Sequence, residues 1–441
     1  MHPLIVRHLL LPLHERLIGR DTLRRFSSLL DSQWWSSDRL HALQTRRLRE
    51  LLTHVESSSP FFQARVVEAG VEAAGARLSD LAKLPTLTKD DLNRHHAAIV
   101  DCRGIDRVVS MSTGGSTGTP LSFVVNRGRQ AADQASRMRA RQWFGIEPGM
   151  RELYLWGSPI ESQAGRRFRD HCLNHRMLAA FDMTPRSMAR YVRELTRFNP
   201  HHLFGYPSSL ARLARFIFDS GIKPVTPALR AVFTTGELLL PSDRVVLEEC
   251  FAVPIADEYG ARDAGFIAQQ CPAGAYHVSM ESLIVELLDE SGQPVQSGEP
   301  GEVTVTHFDS QAMPFIRYRT GDYARWGGPC ACGRGLQTLT AIEGRKTDQL
   351  RTRSGGHAHG LAAIYPLRSV REIAEFRVVQ RSGLDLDVYI VERQPVTDAV
   401  IANIRAELMA RIGRVEVRIN RVDRLTPLPS GKHCCVICEA N

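Results

Sequence analysis

Between about residues 105 and 310, short apolar runs alternate with stretches of helical periodicity, and that alternation restricts the chain to α/β layering. Three runs end alike. Arg151-Glu152-Leu153-Tyr154-Leu155-Trp156 leads into an arginine-rich helical stretch, and Leu203-Phe204-Gly205-Tyr206-Pro207-Ser208-Ser209 turns into a helix over 210–219. Ala231-Val232-Phe233-Thr234-Thr235-Gly236-Glu237 repeats the theme. Strands that finish in Gly, Tyr, Thr or Glu just before a helix set ligand-binding groups along the carboxyl edge of a sheet.

The flanks read differently. Residues 1–100 are a mainly helical lead-in, with Leu43, Leu48, Leu51, Leu52 and Val55 on one stripe of a segment running from Leu40 to Val66. Leu84-Pro85-Thr86-Leu87-Thr88-Lys89 predicts an entry loop and then a helix capped at Thr88, which makes Lys89 a helix-start residue. Ile284 to Leu288 and Gly301 to Thr306, separated by turn residues, predict a hairpin. Past Arg345 the pattern becomes strands at 377–379 and 386–391, a helix from Ala399 to Ile412 stopped by Gly413, and a strand at 415–419. These divisions predict a large domain over 1–344 and a small α+β domain over 345–441.

Ser112-Thr113-Gly114-Gly115-Ser116-Thr117-Gly118-Thr119-Pro120 concentrates glycines and hydroxyls between two extended flanks, 108–111 and 121–125. Glycine lets backbone N–H groups turn inward, and hydroxyls add rotatable donors, so the loop suits a polyphosphate. It is not the P-loop of kinases, since it lacks the lysine and opens a strand instead of a helix.

Composition excludes several classes. No apolar run is long enough for a membrane span, and no secretion signal is evident, so a cytoplasmic protein is expected. The net charge of +8 raises nucleic acid as a partner. Yet the basic residues are spread along the chain, and only five of 56 are lysines, which reads as coding bias with no nucleic-acid face. The nine cysteines lack the regular spacing of a disulfide scaffold. Cys330-Ala331-Cys332 and the pair Cys271 and His277 instead offer three sulfurs and an imidazole, a set suited to structural zinc, with buried unliganded thiols as the alternative.

The loop, together with five later phrases in matching order, resembles the adenylate-forming (acyl/aryl-CoA synthetase) superfamily, in the branch of phenylacetate-CoA ligase and its capsule-associated relatives. The resemblance implies that Thr113, Gly114, Gly115, Ser116, Thr117 and Gly118 cradle phosphates and that Thr235-Gly236-Glu237 lines the adenine pocket. In Asp257-Glu258-Tyr259-Gly260-Ala261-Arg262-Asp263 it implies a nucleotide-binding stretch over Glu258, Tyr259 and Gly260 that ends in a Mg²⁺ carboxylate, Asp263, where the family has glutamate. Arg317-Tyr318-Arg319-Thr320-Gly321-Asp322 is the sharpest phrase. Its Asp322 would accept both ribose hydroxyls, a task for which an acceptor-only carboxylate is suited. Glu343-Gly344-Arg345 resembles the hinge motif, with Arg345 reaching the nucleotide, although Thr347 stands where an aspartate is expected. Ser430-Gly431-Lys432 matches the turn whose lysine bridges the reacting carboxylate and α-phosphate; two approaching anions need such a cation.

The resemblance further implies an α/β adenylation domain with a β-subdomain and a small mobile C-terminal domain, ATP and Mg²⁺, an aryl or arylacetic acid, and coenzyme A as acceptor. Some members of this branch carry a comparable structural zinc. A carrier protein, an amine or a phenolic cofactor is the alternative acceptor, because Ser354-Gly355-Gly356-His357 departs from the family's pattern. A catalytically impaired nucleotide-binding relative is the other alternative, and retention of Asp322 and Lys432 argues against it.

Overall fold

The computed structural model describes residues 1–105, 107–112, 121–157, 164–180, 182–345, 350–353, 357–358, 361–368, 370, 372–426 and 436–439. The expected phosphate loop from Thr113 to Gly118, the stretch from Lys346 to Gln349 and the segment holding Lys432 lie outside the described residues.

Eleven strands form one sheet whose two halves differ in kind. In the first half His175–Leu178, Glu152–Leu155, His202–Gly205, Ala231–Thr235 and Ile255–Ala261 run parallel in that order. From Ile255–Ala261 onward the neighbours are antiparallel: Gly265–Gln270, Tyr276–Val278, Thr338–Arg345, Phe315–Trp326, Gly301–His307 and Leu283–Leu288. The expected hairpin of 284–288 with 301–306 is the outer pair of this half.

Helices cover the parallel half on both faces, as βαβ connections require. Pro185–Phe198, Pro207–Ser220 and Pro241–Phe251 each open with proline, whose missing N–H costs nothing in a first turn. They bury Met188, Tyr191, Leu210 and Leu247 against Leu153, Leu155, Leu203 and Val232. The helix Arg127–Gln142 lies over the other face and carries a basic knot, Arg137, Arg139 and Arg141. That knot has a structural cause. Arg139 is fully buried and donates to Glu281 at 2.7 Å, and Glu281 also accepts from Ser32 at 2.6 Å. Arg141 reaches Glu152 at 3.2 Å, with His202 Nε2 2.9 Å from the same carboxylate. Burial opposes ionisation of Glu152, but the surrounding cations outweigh it and hold the carboxyl well below its usual range. Burial also keeps His202 below its ordinary value, so the charge facing Glu152 is carried by Arg141.

The lead-in is helical, with one difference. The pattern from Leu40 to Val66 is two helices, Ser37–Ser58 and Pro60–Glu68, because Pro60 cannot donate into a continuing helix and opens a new one. Thr88 caps Lys89–Arg94 through a reciprocal pair with Asp91, as expected.

Toward the C-terminus a separate four-stranded sheet has the order Val417–Arg421, Leu386–Glu392, Ile373–Gln380, Val436–Cys438. The helix Asp398–Ile412 packs on it through Ile401, Ile404, Leu408 and Ile412, and ends at Gly413 with φ 109°. Leu240 of the larger part joins this small core.

Candidate active site and metal centre

The loop that sequence singles out is framed by a hairpin. Val109–Ser112 and Ser122–Val125 pair antiparallel, so Ser112 faces Ser122. Arg262 Nη1 donates to the carbonyl oxygen of Ser112 at 3.1 Å, which ties the hairpin to the stretch following Tyr259.

Two tyrosine–carboxylate pairs lie on this side of the sheet. Tyr259 Oη donates to Asp322 Oδ2 at 3.1 Å, joining the end of the central parallel strand to the long antiparallel strand Phe315–Trp326. Tyr318, from that same strand, donates to Asp263 Oδ2 at 2.6 Å. Asp322 is buried and its turn is fixed locally: Thr320 Oγ1 accepts from its N–H, and Gly321 sits at φ 81° with its own N–H on Glu302. In register, Asp322 is the strand partner of Arg345. Tyr259, Asp263, Asp322, the Arg345 backbone and the base of the hairpin are therefore linked by hydrogen bonds and strand register.

Other expected site residues turn inward. Glu258 is buried and its carboxylate is gripped by Arg137 through Nη2 at 2.9 Å and Nε at 3.1 Å, with Arg141 at 3.6 Å. Although burial works against its charge, Glu258 holds the Arg137 guanidinium above its ordinary value. Glu237 accepts from the Ser208 N–H at 3.2 Å, at the start of helix Pro207–Ser220, where a carboxylate complements the helix dipole. Gly236 adopts φ 78°, which a side chain rarely tolerates. Gly260 permits close approach of the next strand, since a Cβ there would lie 2.6 Å from the Gly265 carbonyl oxygen.

Sequence reading missed three supports. Arg129, 1% exposed, donates to the Asp263 carbonyl oxygen, while its Nε and Nη1 have no hydrogen-bond partner among the described residues. Arg137 and Arg141 brace the strand end beneath Tyr259. Asp257 accepts from Thr234 at 2.6 Å and Tyr276 at 2.9 Å, and burial still pushes its carboxyl up to about 6. Only the arginine-rich spacing of the helix hinted at any of these.

A cavity of 220 Å³ lies over the amino ends of the parallel strands, lined by Glu15, Arg141, Glu152, His175 and His202 among others. It touches none of Tyr259, Asp263 or Asp322 and belongs to the buried charge network.

Cys271, His277, Cys330 and Cys332 come together as expected. Their four donor atoms lie within 4.8 Å of one another, with Cys271 Sγ 3.6 Å from Cys330 Sγ and Cys332 Sγ 3.1 Å from His277 Nε2. Zinc bonds of about 2.0–2.3 Å in a tetrahedron need ligand separations of roughly 3.5–3.8 Å, so the set fits with small adjustments. Burial, with Arg334 and Arg139 nearby, holds His277 down at about 4, which leaves a neutral imidazole. The thiolate loop is wedged by the lead-in: Gln33 Oε1 accepts from Trp143 at 2.8 Å and Arg334 at 3.1 Å, and Gly335 N–H donates to the Gln33 carbonyl oxygen.

The family model of the AMP-binding enzymes matches residues 39–309, more than half of the chain. The chain belongs to that family. Among curated relatives of this AMP-binding enzyme, Protein CapK of Staphylococcus aureus is 24% identical over 407 residues, covering 89% of this chain and 88% of the relative. Phenylacetate-coenzyme A ligase of Thermus thermophilus is 27% identical over 330 residues, covering 71% and 72%. Among solved structures, 2-hydroxyisobutyryl-CoA ligase in its postadenylation state superposes with a TM-score of 0.75 at 20% identity, covering 92% of this chain and 93% of the other. The same ligase in its thioesterification state scores 0.60.

Proposed function

We propose that this AMP-binding enzyme is an ATP-dependent acid–CoA ligase. A carboxylate attacks the α-phosphate of Mg·ATP to give an acyl-AMP and pyrophosphate; the thiol of coenzyme A then takes the acyl group and AMP leaves. An aryl or arylacetic acid is the substrate class, supported by the likeness to phenylacetate-coenzyme A ligases.

Asp322, oriented by Tyr259, would hold the ribose hydroxyls, Tyr259 would stack by the adenine, and Asp263, steadied by Tyr318, would hold Mg²⁺, which would offset charge on the phosphates. The loop from Thr113 to Gly118 wraps the phosphates. Arg345 contacts the nucleotide and begins the small domain over 345–441, whose Lys432 offsets the charge of the two approaching anions. The small domain would change position between half-reactions, as a relative of the same fold, 2-hydroxyisobutyryl-CoA ligase, has separate postadenylation and thioesterification states. The observation carrying the proposal is the pairing of Tyr259 with Asp322 beside the hairpin that frames the glycine-rich loop.

Pyrophosphate exchange across a panel of carboxylic acids tests it. Wild type should exchange with at least one aryl or arylacetic acid, and Lys432→Ala should lose about a hundredfold or more. Exchange with no acid, or an equally active variant, overturns the assignment; consumption of coenzyme A with the best acid then tests the acceptor.

We also assign Cys271, His277, Cys330 and Cys332 as ligands of a structural zinc, which would stabilise the loop against the lead-in. Elemental analysis should find close to one equivalent, and less than about a tenth removes the assignment.

A further inference from the structure

The first helical segment presents an unusual outer face. Met1, Leu4, Ile5, Leu9, Leu13 and Leu17 are 50%, 57%, 52%, 61%, 49% and 70% exposed. Five of the six recur every fourth residue. An α-helix turns once in 3.6 residues, so such a repeat would drift around the axis by about 40° per step. Here the wider π-helical turn Val6–Leu10, between Pro3–Ile5 and Leu11–Leu17, takes up part of that drift and keeps the stripe on one side. The opposite side is anchored: Val6 and Leu11 pack against Leu173, and the Met1 amino group donates to Asn174 at 2.8 Å. The segment is thus docked to the body by one face and leaves an apolar row outside.

Its charge is one-sided. Within the first 20 residues the sole carboxylate is Glu15, which is buried and bonded to Arg20 at 2.6 Å. His2, His8 and Arg16 are exposed beside the row, and the whole chain carries +8. An exposed leucine row beside the Arg16 guanidinium, with no exposed acid within the first 20 residues and Arg7 paired with Glu147, matches an anionic lipid surface: the apolar row enters the headgroup boundary while the guanidinium meets lipid phosphates. No helix among the described residues is long and apolar enough to cross a membrane.

We propose that this leucine face is a peripheral docking site for an anionic bilayer, which would hold the enzyme at a membrane. Flotation of the full chain with phosphatidylcholine vesicles, with and without phosphatidylglycerol, tests it. Wild type should float with the anionic vesicles at low salt. Leu9→Gln/Leu13→Gln should reduce binding at least about tenfold, since several methylenes leave the lipid, and Arg16→Gln should narrow the preference for anionic lipid. These side chains are already exposed, so far-UV circular dichroism and pyrophosphate exchange should match wild type. Failure of wild type to float with anionic vesicles overturns the proposal, as does equal flotation of the double variant. A wild-type dimer made monomeric by the double variant, without vesicle binding, would assign the face to a second copy of the chain instead.

Discussion

The candidate site and the rest of the large sheet give their buried carboxylates different partners. In the parallel half, Glu152 and Glu258 are matched by Arg141 and Arg137, cations that neutralise them outright. In the antiparallel half Arg319 does the same for Glu302, and beside it Arg139 for Glu281, whereas at the candidate site Asp322 and Asp263 accept from the phenols of Tyr259 and Tyr318, neutral donors that orient a carboxylate without cancelling its charge. An acid clasped by arginine is committed to the protein, whereas one steadied by a neutral hydroxyl keeps its charge for a diol or a metal. On the proposed function, the kind of partner would separate carboxylates that fasten layers together from those that meet a ligand.

The sharpest way to break this contrast is Arg139→Met. Leaving Glu281 buried beside Ser32 without its cation should lower unfolding free energy by about 3–5 kcal/mol in urea titration, with the KM for ATP unchanged in the folded enzyme. A large rise in that KM would erase the distinction. Next in size, Asp322→Ala removes two charge-assisted hydrogen bonds and should cut kcat/KM for ATP on the order of a hundredfold to a thousandfold. A loss under about fivefold would mean that the phenol-held carboxylates are not the ligand-facing ones.

Asp257 sharpens the comparison, because it is a phenol-held acid on the parallel side of the seam. Its carboxyl sits above the unfolded value of 3.8, at about 6, so the folded state binds the extra proton between these values. Stability should therefore fall as pH rises from about 4 to about 6 and stay lowered above it, by roughly 2–3 kcal/mol. Asp257→Asn should flatten that part of the profile, and thermal unfolding followed from pH 4 to pH 8 checks it.

Motifs were legible where their residues are contiguous. Tyr318 and Asp322 stand in one phrase, and the hairpin flanks of the glycine-rich loop announce themselves by extended residues on either side. The cluster of three cysteines and His277 was legible because each pair is itself local. Arg137 and Glu258 are 121 positions apart, and Arg139 and Glu281 are 142 apart, so nothing local distinguishes a buried ion-pairing arginine from a solvated one. An arginine excess that looked like coding bias proved in part to be interior construction. Pro60 shows the converse: a stripe continuous enough to predict one helix was cut by a single ring.

Gln33 carries a practical consequence. Its side chain and carbonyl are the meeting point of Trp143, Arg334 and Gly335, and at Gly335 even a methyl group would strike the Trp35 carbonyl oxygen at 1.9 Å. The opening helices are therefore a fitted plug under the cysteine loop. A version shortened from its start for convenience would uncover that loop first, well before the catalytic face noticed the loss.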